Sequence, residues 1–166
     1  MLVAAVFLWQ HDPGVQSEPS TIALVPQLAA LHRVPMSSPS SNPARTARSL
    51  LTDLSLPAAL LPATGLSPGD SVAGHPVRLL GAERVVVNGQ AGVSLHYDCC
   101  GTPTTVFVIP RSAVMSLPPE TLPAALSSGS VDDTIGGLLT HSVLGQDVFL
   151  SVVSEHSVVL AEAWLG

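Results

Sequence analysis

From residue 75 to the C-terminus the apolar side chains come in short runs separated by turn signals. That punctuation constrains the fold more than any other feature of the chain. Residues 76–80 (PVRLL) and 83–87 (ERVVV) are rich in the branched side chains that pack well on a pleated surface. Asn88-Gly89 follows, a strong signal for a two-residue type I′ hairpin. Along 91–98, Val93, Leu95 and Tyr97 alternate with Ser94, His96 and Asp98, which places the two sets on opposite faces of a strand. Residues 104–109 read as a further strand ended by Pro110, and 138–144, 147–153 and 157–164 as three closing strands. Residues 116–126 hold Pro118, Pro119 and Pro123 and leave room for a short helix at most. Successive strands with tight links favour an antiparallel meander.

The first half differs. Residues 21–33 (TIALVPQLAALHR) form a short helix with Pro26 in its first turn, where a missing N–H costs nothing. Asn42-Pro43 is a helix start, with Asn as N-cap, and Ala44, Ala47, Leu50, Leu51 and Leu54 follow near helical spacing. Residues 56–61 read as another turn of helix capped by Ser55; 34–43 and 62–74 are linkers rich in Pro, Ser and Gly. Residues 1–9 (MLVAAVFLW) are too short to cross a bilayer, which needs about 20 apolar residues. They also lack the basic start and small-residue cleavage site of a signal peptide. Two readings stay open: a strand or helix packed on the body, or the outer end of a membrane helix that begins upstream. The expected organisation is therefore residues 1–20 as apolar start and polar linker, 21–74 as short helices and linkers, and 75–166 as a β-rich domain. The fold class is α+β, an antiparallel sheet of about five or six strands with short helices on one face.

Composition excludes several functions. Apolar residues make up 46% but aromatics only 4%, so the core is built from Val, Leu, Ile and Ala. All six basic residues are arginines and none follows Arg111, while the net charge is −6. A nucleic-acid surface needs clustered cations, and an anionic membrane surface attracts them too; neither is served here. The absence of lysine removes Schiff-base and P-loop lysine chemistry.

Three constellations carry chemistry. Ser94 and His96 share a strand face with Asp98, but three residues in file along a strand do not make a triad, and no G-x-S-x-G elbow is present. They are expected as solvent-facing polar residues. Cys99 and Cys100 are adjacent. A vicinal disulfide is strained, because bridged Cα atoms sit about 4.4–6.8 Å apart and neighbours about 3.8 Å. The expectation is two free thiols at a strand end, one facing inward and one outward. A metal site from His96, Cys99 and Cys100 is the third reading, its fourth ligand drawn from His75, His141 or His156. Asp132-Asp133 fits an N-cap or turn with Ser130, and no EF-hand loop follows. The six scattered histidines leave a collective pH-sensing role open.

The block 73–110 carries a resemblance. Leu80-Gly81-Ala82-Glu83-Arg84, Asn88-Gly89, Leu95-His96-Tyr97 and Val106-Phe107-Val108-Ile109-Pro110 resemble successive strand ends and turns in the extracytoplasmic domain of bacterial transmembrane anti-sigma factors. Residues 145–163 look like that family's final strand pair, with Leu150 and Val158 where the family commonly has aromatics. The family's zinc-binding cytoplasmic domain (His-x₃-Cys-x₂-Cys) has no counterpart here, so sigma-factor binding does not transfer to these residues. The resemblance implies a non-enzymatic sensory or regulatory domain without cofactor, exposed on the extracytoplasmic side of the cell envelope. Its partner would be a protein or envelope ligand, with a membrane anchor at the N-terminus. Two alternatives stand beside it. One is a small soluble binding or structural protein, a homo-oligomer joined through an exposed edge at strand 147–153. The other is a thiol or metal module centred on His96, Cys99 and Cys100.

Overall fold

The computed structural model describes residues 23–67, 69–156, 158, 160 and 161. Residues 1–9, and with them the two readings of the apolar start, lie outside the described residues.

Helix α1 spans Leu24–His32 and α2 spans Pro43–Asp53. The Asn42-Pro43 start forms as expected: the Arg45 backbone N–H donates to Asn42 Oδ1 at 3.1 Å, which satisfies one of the orphan donors of a helix N-terminus. Ser55 follows α2 in the left-handed region (φ 59°) rather than capping the next turn, a 3₁₀ segment at Ala58–Leu60.

The strands are β1 (Ser71–Val72), β2 (His75–Val87), β3 (Gln90–Cys99), β4 (Thr102–Pro110), β5 (Ser130–Ile135), β6 (Leu138–Leu144) and β7 (Val148–Ser154), with α3 (Arg111–Met115) after β4. They form one seven-stranded sheet, order β1-β2-β3-β4-β7-β6-β5, every pair antiparallel. Tight hairpins turn at Ala73-Gly74, Asn88-Gly89, Cys100-Gly101 and Gly136-Gly137, and in each both residues have positive φ. That is the requirement of a type I′ turn, whose twist matches the strands it joins. Between β4 and β5 the chain leaves the sheet centre, crosses through α3 and two 3₁₀ turns, and returns through β5 and β6 to lay β7 beside β4. The last four strands thus form a Greek key, not a simple meander.

The sheet-rich α+β class stands, with corrections. The sheet has seven strands among the described residues, not five or six. Residues 76–80 and 83–87 are one strand, bent by a bulge at Leu79/Gly81 that leaves Leu80 unpaired. Asp132 and Asp133 lie in strand β5, not in a turn. Of the expected strand 157–164, Leu160 and Ala161 are helical and buried, and most of the rest lies outside the described residues. Helices cover both faces, not one. Ala47 and Leu51 of α2 join Val77, Leu79, Val93, Leu95, Tyr97, Val106 and Val152 on one face. Leu24 and Leu28 of α1 and Val114 of α3 join Phe107, Ile109, Leu138, Phe149 and Val153 on the other. The cause is visible in β4 and β7, whose near-continuous apolar runs leave neither face fit for water.

Strand 147–153 is not an exposed edge. As β7 it lies between β4 and β6, buried along its whole length. Its hydroxyls are satisfied internally: Ser151 Oγ is 2.9 Å from Ser142 Oγ, both buried, as buried polar groups require. The edge strands are β1 and β5, and on β5 Asp132 and Asp133 are exposed. Charges on an edge discourage pairing with another chain.

Candidate functional site

Strand alternation sends Ser94, His96 and Asp98 to the α1 face, opposite Tyr97. That face is not open to solvent. The last turn of α1 and the segment after it pass over it and leave a half-open cavity of about 500 Å³. Its walls include His32, Arg33 and Met36 from α1 and beyond, Leu80 at the β2 bulge, His96 and Thr105 from the sheet, and Glu155 after β7. The bulge contributes directly: Leu80, which has no partner on β3, lines the cavity. At Gly81 an added Cβ would collide with Met36 Sδ, so glycine makes room for the segment that covers the sheet.

His32 Nδ1 lies 2.9 Å from Thr105 Oγ1, and Thr105 is the cross-strand partner of His96. His96 Nε2 lies 3.1 Å from Ser94 Oγ and 3.6 Å from Glu83 Oε2. Glu83 Oε1 in turn accepts the Ser37 backbone N–H at 2.7 Å, tying the covering segment to the sheet. The expectation of solvent-facing Ser94 and His96 is therefore corrected: Ser94 is only 2% exposed, and His96 is mostly covered.

A serine, a histidine and an acid meet here, yet the geometry does not activate the serine. A triad places the nucleophile on one imidazole nitrogen and the acid on the other. Ser94 and Glu83 both approach Nε2. The Ser94 hydroxyl also donates to the Glu83 backbone carbonyl oxygen at 3.4 Å. Asp98 is engaged elsewhere, accepting the Gly101 backbone N–H at 2.8 Å in the β3–β4 turn.

Burial lowers the pKa of His32; Glu155 opposes that, while His96 and Arg33 add to it. Burial also lowers His96, against the pull of Glu83. The His96–Glu83 separation has the length of an ion pair, but desolvation outweighs the carboxylate, so the imidazole is neutral at pH 7. A pH dependence follows. Both groups bind protons more weakly folded than at the ordinary imidazole value of 6.5. Their contribution to stability is full above that value and is lost as pH falls through the folded values. Thermal melts between about pH 7.5 and pH 5 are expected to show falling stability. The double variant His32→Gln/His96→Gln should show a flatter profile, and an unchanged slope would contradict the assignment.

The trio His96, Cys99 and Cys100 does not assemble. His96 and Cys99 are three apart on one strand and therefore face opposite sides. Cys99 is buried against the α2 face, and Cys100 is exposed at the turn. Burial first, then the neighbouring Cys100, pushes the Cys99 thiol up to about 11. Both thiols are free, one inward and one outward. Among the described residues no three His, Cys, Asp or Glu side chains cluster at metal-binding separations. His141 Nδ1 is 2.6 Å from Asp132 Oδ1, while His75 Nδ1 is 3.1 Å from Cys100 Sγ. His32, Thr105 and Glu155 gave no local signal in the sequence, since only the docking of α1 brings them together.

No described helix is long and apolar enough to cross a membrane. Comparison with protein-family models, with curated proteins and with solved structures finds no match to this chain.

Proposed function

We propose that the chain is a non-catalytic sensory or regulatory binding domain on the extracytoplasmic side of the cell envelope, of the anti-sigma-factor kind. Its cavity under α1 takes a small, largely apolar ligand carrying a hydrogen-bonding group. The observation that carries this reading is the cavity itself. At about 500 Å³ it falls in the range of small-molecule sites, about 300–1,000 Å³, and it combines an apolar lining with a few convergent polar groups. His32 and His96 each use one ring nitrogen within the protein, Nδ1 on Thr105 and Nε2 on Ser94, which leaves each neutral imidazole one further nitrogen to donate or accept a hydrogen bond. The inactive arrangement of Ser94, His96 and Glu83 supports binding over catalysis. One wall belongs to α1, so an occupant touches the helix that leads back to the N-terminal segment, and occupancy is passed along it.

The test uses 2-naphthoate, an apolar body with one polar group, titrated into the full chain and followed by amide chemical shifts. Shifts are expected at residues 32–36, 80, 96 and 103–105. They should vanish in Met36→Trp, which puts a larger side chain at a lining position. Shifts spread over the surface, or unaffected by Met36→Trp, would remove the cavity as a binding site.

A further inference from the structure

A second site lies at the β3–β4 hairpin, and none of its residues lines the cavity under α1. Cys100 occupies the first central position of the turn at φ 58° and is exposed. Its backbone N–H donates to the Pro76 carbonyl oxygen at 3.0 Å, which holds the turn against the start of β2. His75 opens that strand, and its Nδ1 lies 3.1 Å from Cys100 Sγ. A cleft of about 330 Å³ opens beside the thiol, and its lining includes Asp70, Arg78 and Asp98. A thiol in contact with an imidazole nitrogen, exposed and next to a cleft, is the arrangement of a nucleophile with its base. We propose that Cys100 is a thiol–disulfide exchange site that takes up low-molecular-weight disulfides as a mixed disulfide, with His75 as its base.

The step balances without an external oxidant. His75 Nδ1 takes the Cys100 proton, and the thiolate attacks one sulfur of R–S–S–R. That S–S bond breaks as the Cys100–S–S–R bond forms. The leaving R–S⁻ takes the proton held by His75, so one disulfide and one thiol become another disulfide and another thiol. Cys99 does not resolve the product. Its side chain is buried in the α2-face core, its thiol is held protonated with a pKa raised to about 11, and closure onto its neighbour meets the strain of a vicinal bridge. The adduct therefore persists. Arg78, with its side chain 69% exposed, lies in the lining of the cleft and favours a disulfide that carries carboxylate groups, such as oxidised glutathione.

The experiment exposes the full chain to oxidised glutathione and reads intact mass and peptide maps over time and pH. One glutathione is expected, on Cys100. Cys99→Ser should keep it. Cys100→Asn should abolish it with the fold intact, since Asn is favoured at this turn position. His75→Gln should slow the reaction on the order of tenfold near neutral pH and approach the wild-type rate in alkali, where the thiolate forms without a base. Labelling at Cys99, a Cys99–Cys100 disulfide, no adduct at all, or a His75→Gln rate equal to wild type at every pH would each overturn the proposal.

Discussion

Phe149→Ala is expected to destabilise the fold by about 3–5 kcal/mol, as for other buried aromatic truncations. Phe149 has no exposed surface. It sits in β7 with Ile109 of β4 and Leu144 of β6 as its cross-strand partners, in the same cluster as Leu24 and Leu28 of α1. Truncation therefore opens a cavity where three strands and a helix converge, and neighbours tied into a sheet relax only in part. Against a total stability of about 5–15 kcal/mol, the loss is a large share. Urea denaturation measures it, with Val86→Ala as the control. Val86 is 61% exposed, so its truncation should stay within about 0.5 kcal/mol. A Phe149→Ala loss as small as the control's would show that β7 is not buried between β4 and β6.

How much of this was legible depends on whether the determining contacts are local. Asn42-Pro43 specifies the start of α2 through a cap only three residues long, and the structure contains that bond. Val93, Leu95 and Tyr97 alternate with Ser94 and His96, and the structure puts them on opposite faces. Asn88-Gly89 announces its turn. Ala73-Gly74 and Cys100-Gly101 use the same φ pair with a costlier first residue, so their signal is weaker. β5 was obscured because an edge strand needs no apolar alternation, and Asp132-Asp133 imitates a turn. The covering of the second face was readable only from β4 and β7, whose apolar runs have no polar side to offer. The site was the least legible part. His32 and Thr105 are 73 residues apart, and no spacing rule links a helix end to the middle of a strand. The trio His96, Cys99 and Cys100 erred the other way. Closeness in sequence suggested a cluster, but strand parity separates His96 from Cys99.

Leu28→Ala is expected to cost about 2–5 kcal/mol and to remove 2-naphthoate binding while the sheet remains folded. α1 has nine residues, too few to persist alone in water, so its position depends on the stripe Leu24, Val25, Leu28 and Ala29, all buried. Leu28 is fully buried and lies one turn before His32, on the same side of the helix. Anchoring Leu28 is what sets His32 Nδ1 against Thr105 Oγ1 and so closes the cavity wall. Loosening the helix should release His32, Arg33 and the segment after it together. The amide shifts of β3 and β4 separate this from global unfolding, since they should keep a folded pattern below the midpoint of denaturation. His32→Gln provides the complementary case, because it alters one polar contact and leaves the apolar stripe in place; it should weaken binding with little change in stability. If Leu28→Ala lost the expected stability yet bound 2-naphthoate as the wild type does, α1 would not be a wall of the binding site, and transmission through that helix would have no physical basis.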